Sequence, residues 1–131
     1  TESFALVFFD IDNFKKVNDT HGHLIGDNVL KELALKVEKH LRKSDLFARW
    51  GGEEFVLILP LISLENAMVA TEGIREYICS TDFNEVGKVT CSFGVSKFKK
   101  GDDFHSIILR ADESMYKAKQ TGKNRVVTLD T

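Results

Sequence analysis

Leu46-Phe-Ala-Arg-Trp-Gly-Gly-Glu-Glu-Phe-Val-Leu-Ile-Leu59 carries two runs of strand-forming residues, Leu46 to Trp50 and Phe55 to Leu59, on either side of Gly51-Gly52. Two residues that tolerate positive φ between two such runs predict a tight β-hairpin, and Pro60, with no N–H to give a ladder, closes it. Toward the N-terminus, Ala5-Leu-Val-Phe-Phe9 is an apolar run that stops at Asp10, as a buried central strand would. Between that strand and the hairpin lie Asn13-Phe-Lys-Lys-Val-Asn18, a loop containing Gly and His, and then Val29, Leu30, Leu33, Ala34, Val37 and Leu41 at helical spacing behind Asp27 as N-cap.

Beyond the hairpin, Ser63 is placed to cap a helix whose Ala67, Ala70, Ile74 and Ile78 form one stripe and which ends near Thr81. Val89, Cys91, Phe93 and Val95 alternate with Thr90, Ser92, Gly94 and Ser96, the period of a strand with one buried face. Phe104, Ile108, Ala111, Met115 and Ala118 step by four and three toward Gly122, which is placed to end that helix, and Arg125-Val-Val-Thr128 reads as a last edge strand. The order β-α-α-β-β-α-β-α-β, without repeat or linker, predicts an α+β fold over residues 1–131: one mostly antiparallel sheet covered by helices, with the Gly-Gly turn in a central hairpin.

The 131 residues are 43% hydrophobic and 29% charged, the proportions of one soluble globular domain. No apolar run approaches the ~18 residues of a membrane span, and Thr1-Glu-Ser-Phe4 lacks the basic start of a secretory signal, so no membrane contact by this segment is expected. Lys+Arg of 18 against Asp+Glu of 20 leaves no basic excess, which argues against a nucleic-acid partner. Cys79 and Cys91 have neither a zinc spacing nor the density of a disulfide scaffold, and are expected to be reduced core residues of a cytoplasmic protein.

Asp10 ends the first strand while Glu53 and Glu54 leave the hairpin turn; if the two elements are neighbours, their carboxylates converge at one edge of the sheet. Such a group suits Mg²⁺, which takes few protein oxygens and leaves room for substrate phosphates. Taken singly, each acid reads as readily as a strand or turn cap. Their company favours a site: Lys15 follows Asp10 closely, Gly51-Gly52 lets a phosphate approach the backbone, Lys119 and Lys123 bracket Gly122, and Asn18, Asp19, His21, His23 and Asp27 crowd the loop between. No third histidine accompanies His21 and His23, so a histidine-held metal is not expected.

Phe9-Asp-Ile-Asp-Asn-Phe-Lys-Lys-Val-Asn-Asp-Thr-His-Gly-His-Leu-Ile-Gly-Asp27, followed by Arg49-Trp-Gly-Gly-Glu-Glu-Phe55, resembles the GGDEF family of diguanylate cyclases. Ser92-Phe-Gly-Val-Ser96 and Ala111-Asp-Glu-Ser-Met-Tyr-Lys-Ala-Lys-Gln-Thr-Gly-Lys-Asn-Arg-Val126 are similar to the family's C-terminal half, so the likeness runs along nearly the whole chain in order. It implies a fold like that of nucleotidyl cyclases and polymerase palms. The activity implied is condensation of two GTP into cyclic di-GMP with release of two pyrophosphates, in a bacterial signalling pathway. Carried over, the resemblance gives Asp10, the Ile11 carbonyl, Glu53 and Glu54 to Mg²⁺ or Mn²⁺. Glu53 would also accept the proton of the attacking hydroxyl, and Lys15 would stabilise charge on the phosphate in the transition state.

Lys119 and Lys123 match the triphosphate-binding pair; the second is more typically Arg, and Lys lacks the bidentate fork. Asn18, His23, Asp27, Gly51 and Gly52 match substrate-binding positions. An acceptor at Asp27 suits guanine, whose N1–H and N2 amine donate, over adenine, which has no N2 amine. Arg42-Lys-Ser-Asp45 fits the R-x-x-D product-binding inhibitory site, with Arg75 a secondary contact. Alone, that tetrapeptide is ordinary helix-end chemistry. The resemblance also implies a two-fold homodimer, whether lasting or transient in this fragment, and a cytoplasmic location, which leaves open tethering of the full-length protein at the inner membrane. The family's helical segment with the motif D-x-L-T-x-L-x-N-R-R does not occur in these residues. The rival functions are a catalytically silent receptor for cyclic di-GMP or GTP, and a docking domain that binds no nucleotide.

Overall fold

A computed structural model describes residues 3–130. Its elements are β1 (Phe4–Ile11), α1 (Phe14–His21), α2 (His23–Glu38), β2 (Leu46–Gly51), β3 (Glu54–Pro60), α3 (Leu64–Ser80), β4 (Cys91–Lys97), α4 (Phe104–Gln120) and β5 (Arg125–Val127). They form one sheet in the order β2-β3-β1-β4-β5, antiparallel except where β5 runs parallel to β4. The apolar run of β1 is unbroken because the strand is central and covered on both faces. Ala5, Val7, Phe9 and Ile11 enter a core shared with α1, α2 and α3, and Leu6 and Phe8 enter a smaller one under α4. At the centre of the larger core the Phe9 ring stacks on Phe93 at 4.8 Å and on Phe55 at 5.4 Å.

The structure corrects several sequence expectations. The polar side of β4 is not a solvent face: Ser92 and Ser96 are fully buried, because α4 lies across that side. Gly94 makes the close approach feasible, since a Cβ there would collide with the Ala111 carbonyl oxygen and the Met115 amide nitrogen. On α3, Ala70 is exposed and Thr71 takes its place on the buried stripe, its hydroxyl donating to the Ala67 carbonyl at 2.7 Å. On α4, Phe104 is about half exposed and Ile107 is the buried residue of the first turn. Cys91 is core as expected, but Cys79 is only half-buried; both are free thiols.

The hairpin lies to one side of the sheet, with β2 as its edge strand, rather than in the middle. Its two-residue turn is Gly52-Glu53, because Gly51 still pairs with Glu54. Neither Gly51 nor Gly52 adopts positive φ. In place of the expected left-handed turn, the β2–β3 register shifts between Arg49 and Gly51, as at a β-bulge. The loop expected before α2 shrinks to Gly22, whose φ of 90° separates α1 from α2. Asp27 therefore lies within α2 and does not cap it; α3 and α4 are capped by Ser63 and Asp103, which accept from the amides of Asn66 and Ser106.

Candidate active site

The β1–β3 register sets the site. Asp10 is directly opposite Glu54, so both carboxylates point to one face of the sheet, and Glu53 stands beside them in the turn. With Gly52 they line a cleft of about 310 Å³. A Cβ at Gly52 would meet nothing within 4 Å, so the turn borders open space that a ligand can enter. Arg49 Nε donates to the Gly52 carbonyl at 2.7 Å and buckles the turn in place. The Asp12 amide donates to Thr90 on the β4 side, and strand alternation therefore turns the Ile11 carbonyl toward β3, past the last paired residues of that ladder.

Asp10 is buried, and Lys119 Nζ from α4 sits 2.6 Å from its Oδ1. The Lys119 ammonium is thus the charge-assisted partner of this buried carboxylate oxygen. Burial, and after it the negative charges of Glu53 and Asp12, push the Asp10 carboxyl up to about 6 against the pull of Lys119. Asp10, Glu53, Glu54 and the Ile11 carbonyl, gathered at one edge of the sheet with Lys119 against them, are the oxygen donors that a hard divalent cation takes. Among the described residues no group of three or more His, Cys, Asp or Glu is gathered to hold an ion unaided.

The lysines divide. Lys119 is in the site, and Lys123, in the turn after α4, donates to Asn13 Oδ1 at 2.7 Å at the foot of α1. Lys15 is not drawn in: its ammonium is paired with Asp19 at 3.0 Å along the exposed side of α1. Asn18 lies where α1 meets α2, and only a glycine at 26 leaves room for its amide. His23 is exposed at the start of α2, whereas Asp27 lines a separate cleft of about 440 Å³ between α2 and β2, facing Phe47 and Arg49.

Arg42 and Asp45 do come together. The Arg42 amide donates to Asp45 Oδ2 at 2.8 Å, its Nε to Oδ1 at 3.0 Å, and its Nη2 to the Pro60 carbonyl at 2.7 Å. The pair fastens the α2–β2 connection to the end of β3. Arg75 is not joined to it, being held by Glu72 and, at 2.9 Å, by Asn124 Oδ1. Sequence reasoning passed over Asp12, Asn13 and Asn124, which knit the site's elements together. The available signal was the two-residue spacing of Asp10 and Asp12, which puts them on one side of β1.

The family described as "Diguanylate cyclase, GGDEF domain" matches residues 1–125, and the chain belongs to it. It is 42% identical over 124 residues to the diguanylate cyclase DgcP of Pseudomonas aeruginosa, covering 92% of this chain and 18% of that protein. The GGDEF domain of DgcB from Caulobacter crescentus, solved in complex with c-di-GMP, superposes with a TM-score of 0.92 at 34% identity over 97% of this chain and 78% of that one. The active GGEEF domain of a diguanylate cyclase from Vibrio cholerae gives a TM-score of 0.92 at 35% identity over 99% and 85%. The chain thus spans about a fifth of the curated relative's length and most of each solved domain.

Proposed function

We propose that this domain condenses two GTP molecules into cyclic di-GMP, each GTP held by one chain of a two-fold homodimer. The observation that carries the proposal is the register that sets Asp10 against Glu54 beside the Gly52-Glu53 turn, with Lys119 at their base. In each half-reaction the 3′-hydroxyl of one GTP attacks the α-phosphorus of the other. A phosphorus–oxygen bond forms, the bond to the β-phosphate bridge breaks, pyrophosphate leaves, and the hydroxyl proton passes to Glu53. Asp10, the Ile11 carbonyl and Glu53, with Glu54 beside them, would hold Mg²⁺ or Mn²⁺, which when bound acidifies the hydroxyl and offsets charge on the departing pyrophosphate. Lys119 and Lys123 meet the triphosphate, Lys15 swings from Asp19 onto the phosphate in the transition state, and Asn18, His23 and Asp27 orient the nucleotide. Two chains are required because the described residues of one chain supply one cleft of Asp10, Glu53 and Glu54, while the product contains two equivalent bonds. Product returning to Arg42 and Asp45, with Arg75 as a secondary contact, inhibits.

Incubation with GTP and Mg²⁺ followed by separation of products tests the reading, with Glu53→Gln as control. The parent is expected to form cyclic di-GMP. The near-isosteric variant is expected to lose about a thousandfold in rate while its melting temperature holds. Binding of cyclic di-GMP without turnover by the full-length parent would make the domain a receptor. Absence of any nucleotide-dependent shift in melting temperature would make it a docking domain.

A further inference from the structure

Asp12 lies two residues beyond Asp10, and the proposed reaction gives it no part. Its side chain is 1% exposed. Three segments satisfy it: Ser92 Oγ of β4 donates to Oδ1 at 2.6 Å, Thr90 Oγ1 to Oδ2 at 2.8 Å, and the backbone N–H of Asn124 to Oδ2 at 3.0 Å. The hydroxyls account for burial of the charge. The amide does something else, because it belongs to the turn between α4 and β5. There Lys123 and Asn124 both have left-handed backbone, with φ of 62° and 46°. Two such non-glycine residues in succession persist only where their surroundings hold them.

The turn has further holds. The Lys123 amide donates to the Ala118 carbonyl at 2.9 Å, and Arg75 Nη1 of α3 donates to Asn124 Oδ1 at 2.9 Å from the other side. The turn carries Lys123, and it follows directly on the end of α4 that carries Lys119. Lys119 lies on the last turn of α4, 2.6 Å from Asp10 Oδ1 and 4.0 Å from Asp12 Oδ1, and Lys123 is in the turn itself.

We propose that Asp12 and Asn124 are positioning residues of the triphosphate site: the Asp12 carboxylate holds the Asn124 amide and so fixes the left-handed turn that presents Lys123 to the phosphates, beside Lys119 at the end of α4. Arg75 steadies the same turn through the Asn124 side chain, so the α3 surface is mechanically continuous with the site. The inference rests on the reading above that Lys119 and Lys123 take the triphosphate.

The test compares equilibrium binding of 3′-deoxy-GTP, which cannot condense, with binding of GMP, which has no β- or γ-phosphate, on the whole chain with Mg²⁺. The parent is expected to prefer the triphosphate. Asp12→Asn is expected to cut that preference by about tenfold while leaving GMP affinity unchanged, and in a Lys123→Met background the same substitution is expected to change it far less. An unchanged preference in Asp12→Asn, or an equal effect in both backgrounds, overturns the proposal, because a purely structural carboxylate would act independently of Lys123. Should Asp12→Asn not fold, Asn124→Gly serves: it keeps the amide and tolerates the φ of 46° but loses the Arg75 contact. It is expected to lower the preference by about threefold, and no change overturns the proposal. A parent that prefers neither nucleotide overturns the triphosphate reading itself, and the positioning role with it.

Discussion

Asp10 shows how position changes what a residue is. An aspartate in water titrates near 3.8, whereas here burial raises the group to about 6. The folded chain therefore holds the proton more tightly than the unfolded chain. This contribution to stability is full below the unfolded value and is lost as pH rises through about 6. Asp10→Asn removes the penalty, so its melting temperature is expected to exceed the parent's at pH 7.5, by an amount corresponding to about 2 kcal/mol, with the gap closing by about pH 4. A gap that is constant with pH would show that Lys119 fully compensates the buried charge. Asp27 carries the other residue-scale expectation: Asp27→Asn should narrow the preference for GTP over ATP by about tenfold with little change in melting temperature. If ATP is rejected as strongly as before, guanine is read elsewhere.

At the scale of elements, the contact of α4 with β4 places the lysines. The contact is close because Gly94 presents no side chain to the helix backbone at Ala111 and Met115. Gly94→Ala forces α4 outward and is expected to cost about 3 kcal/mol by urea unfolding, more than an alanine on an exposed strand would. The end of α4 nearer its N-terminus is clamped by Arg110, which meets Asp102 at 2.6 Å and donates to the Lys97 carbonyl at 2.7 Å. That pairing holds the Asp102 carboxyl down at about 2, so its contribution is present above the ordinary carboxylate value and lost as pH falls toward 2. Arg110→Met is thus expected to lower the melting temperature at pH 7 and to have much less effect near pH 2.

At the scale of the whole molecule, the described residues of one chain form a single cleft lined by Asp10, Glu53 and Glu54, and the proposed chemistry asks for two such clefts facing each other. Turnover is expected to rise faster than linearly with protein concentration wherever sedimentation shows mostly monomer, and a linear dependence there would remove the half-site arrangement. Arg42→Ala is expected to lose product inhibition while keeping the uninhibited rate. Inhibition that persists would leave Arg42 and Asp45 as the fastener seen between the α2–β2 connection and Pro60.

The element order was legible because its signals are local: an apolar run ending at Asp10, caps at Ser63 and Gly122, and alternation through Cys91, Phe93 and Val95. The candidate carboxylates could be named for the same reason, each sitting at the end of a readable strand or turn. Local signals failed where a neighbour distant in sequence decided the outcome. Ser92 and Ser96 looked solvent-facing until α4 covered them, Asp27 looked like a cap until Gly22 started the helix sooner, and the hairpin turn moved by one residue where the β2–β3 register shifts between Arg49 and Gly51. The 2.6 Å approach of Lys119 to Asp10, the hold of Asp12 on the Asn124 amide and the capture of Arg75 by Asn124 join residues roughly 50 to 110 positions apart. Spacing along the chain carries no record of such meetings; only the packing of α3 and α4 on the sheet brings them about.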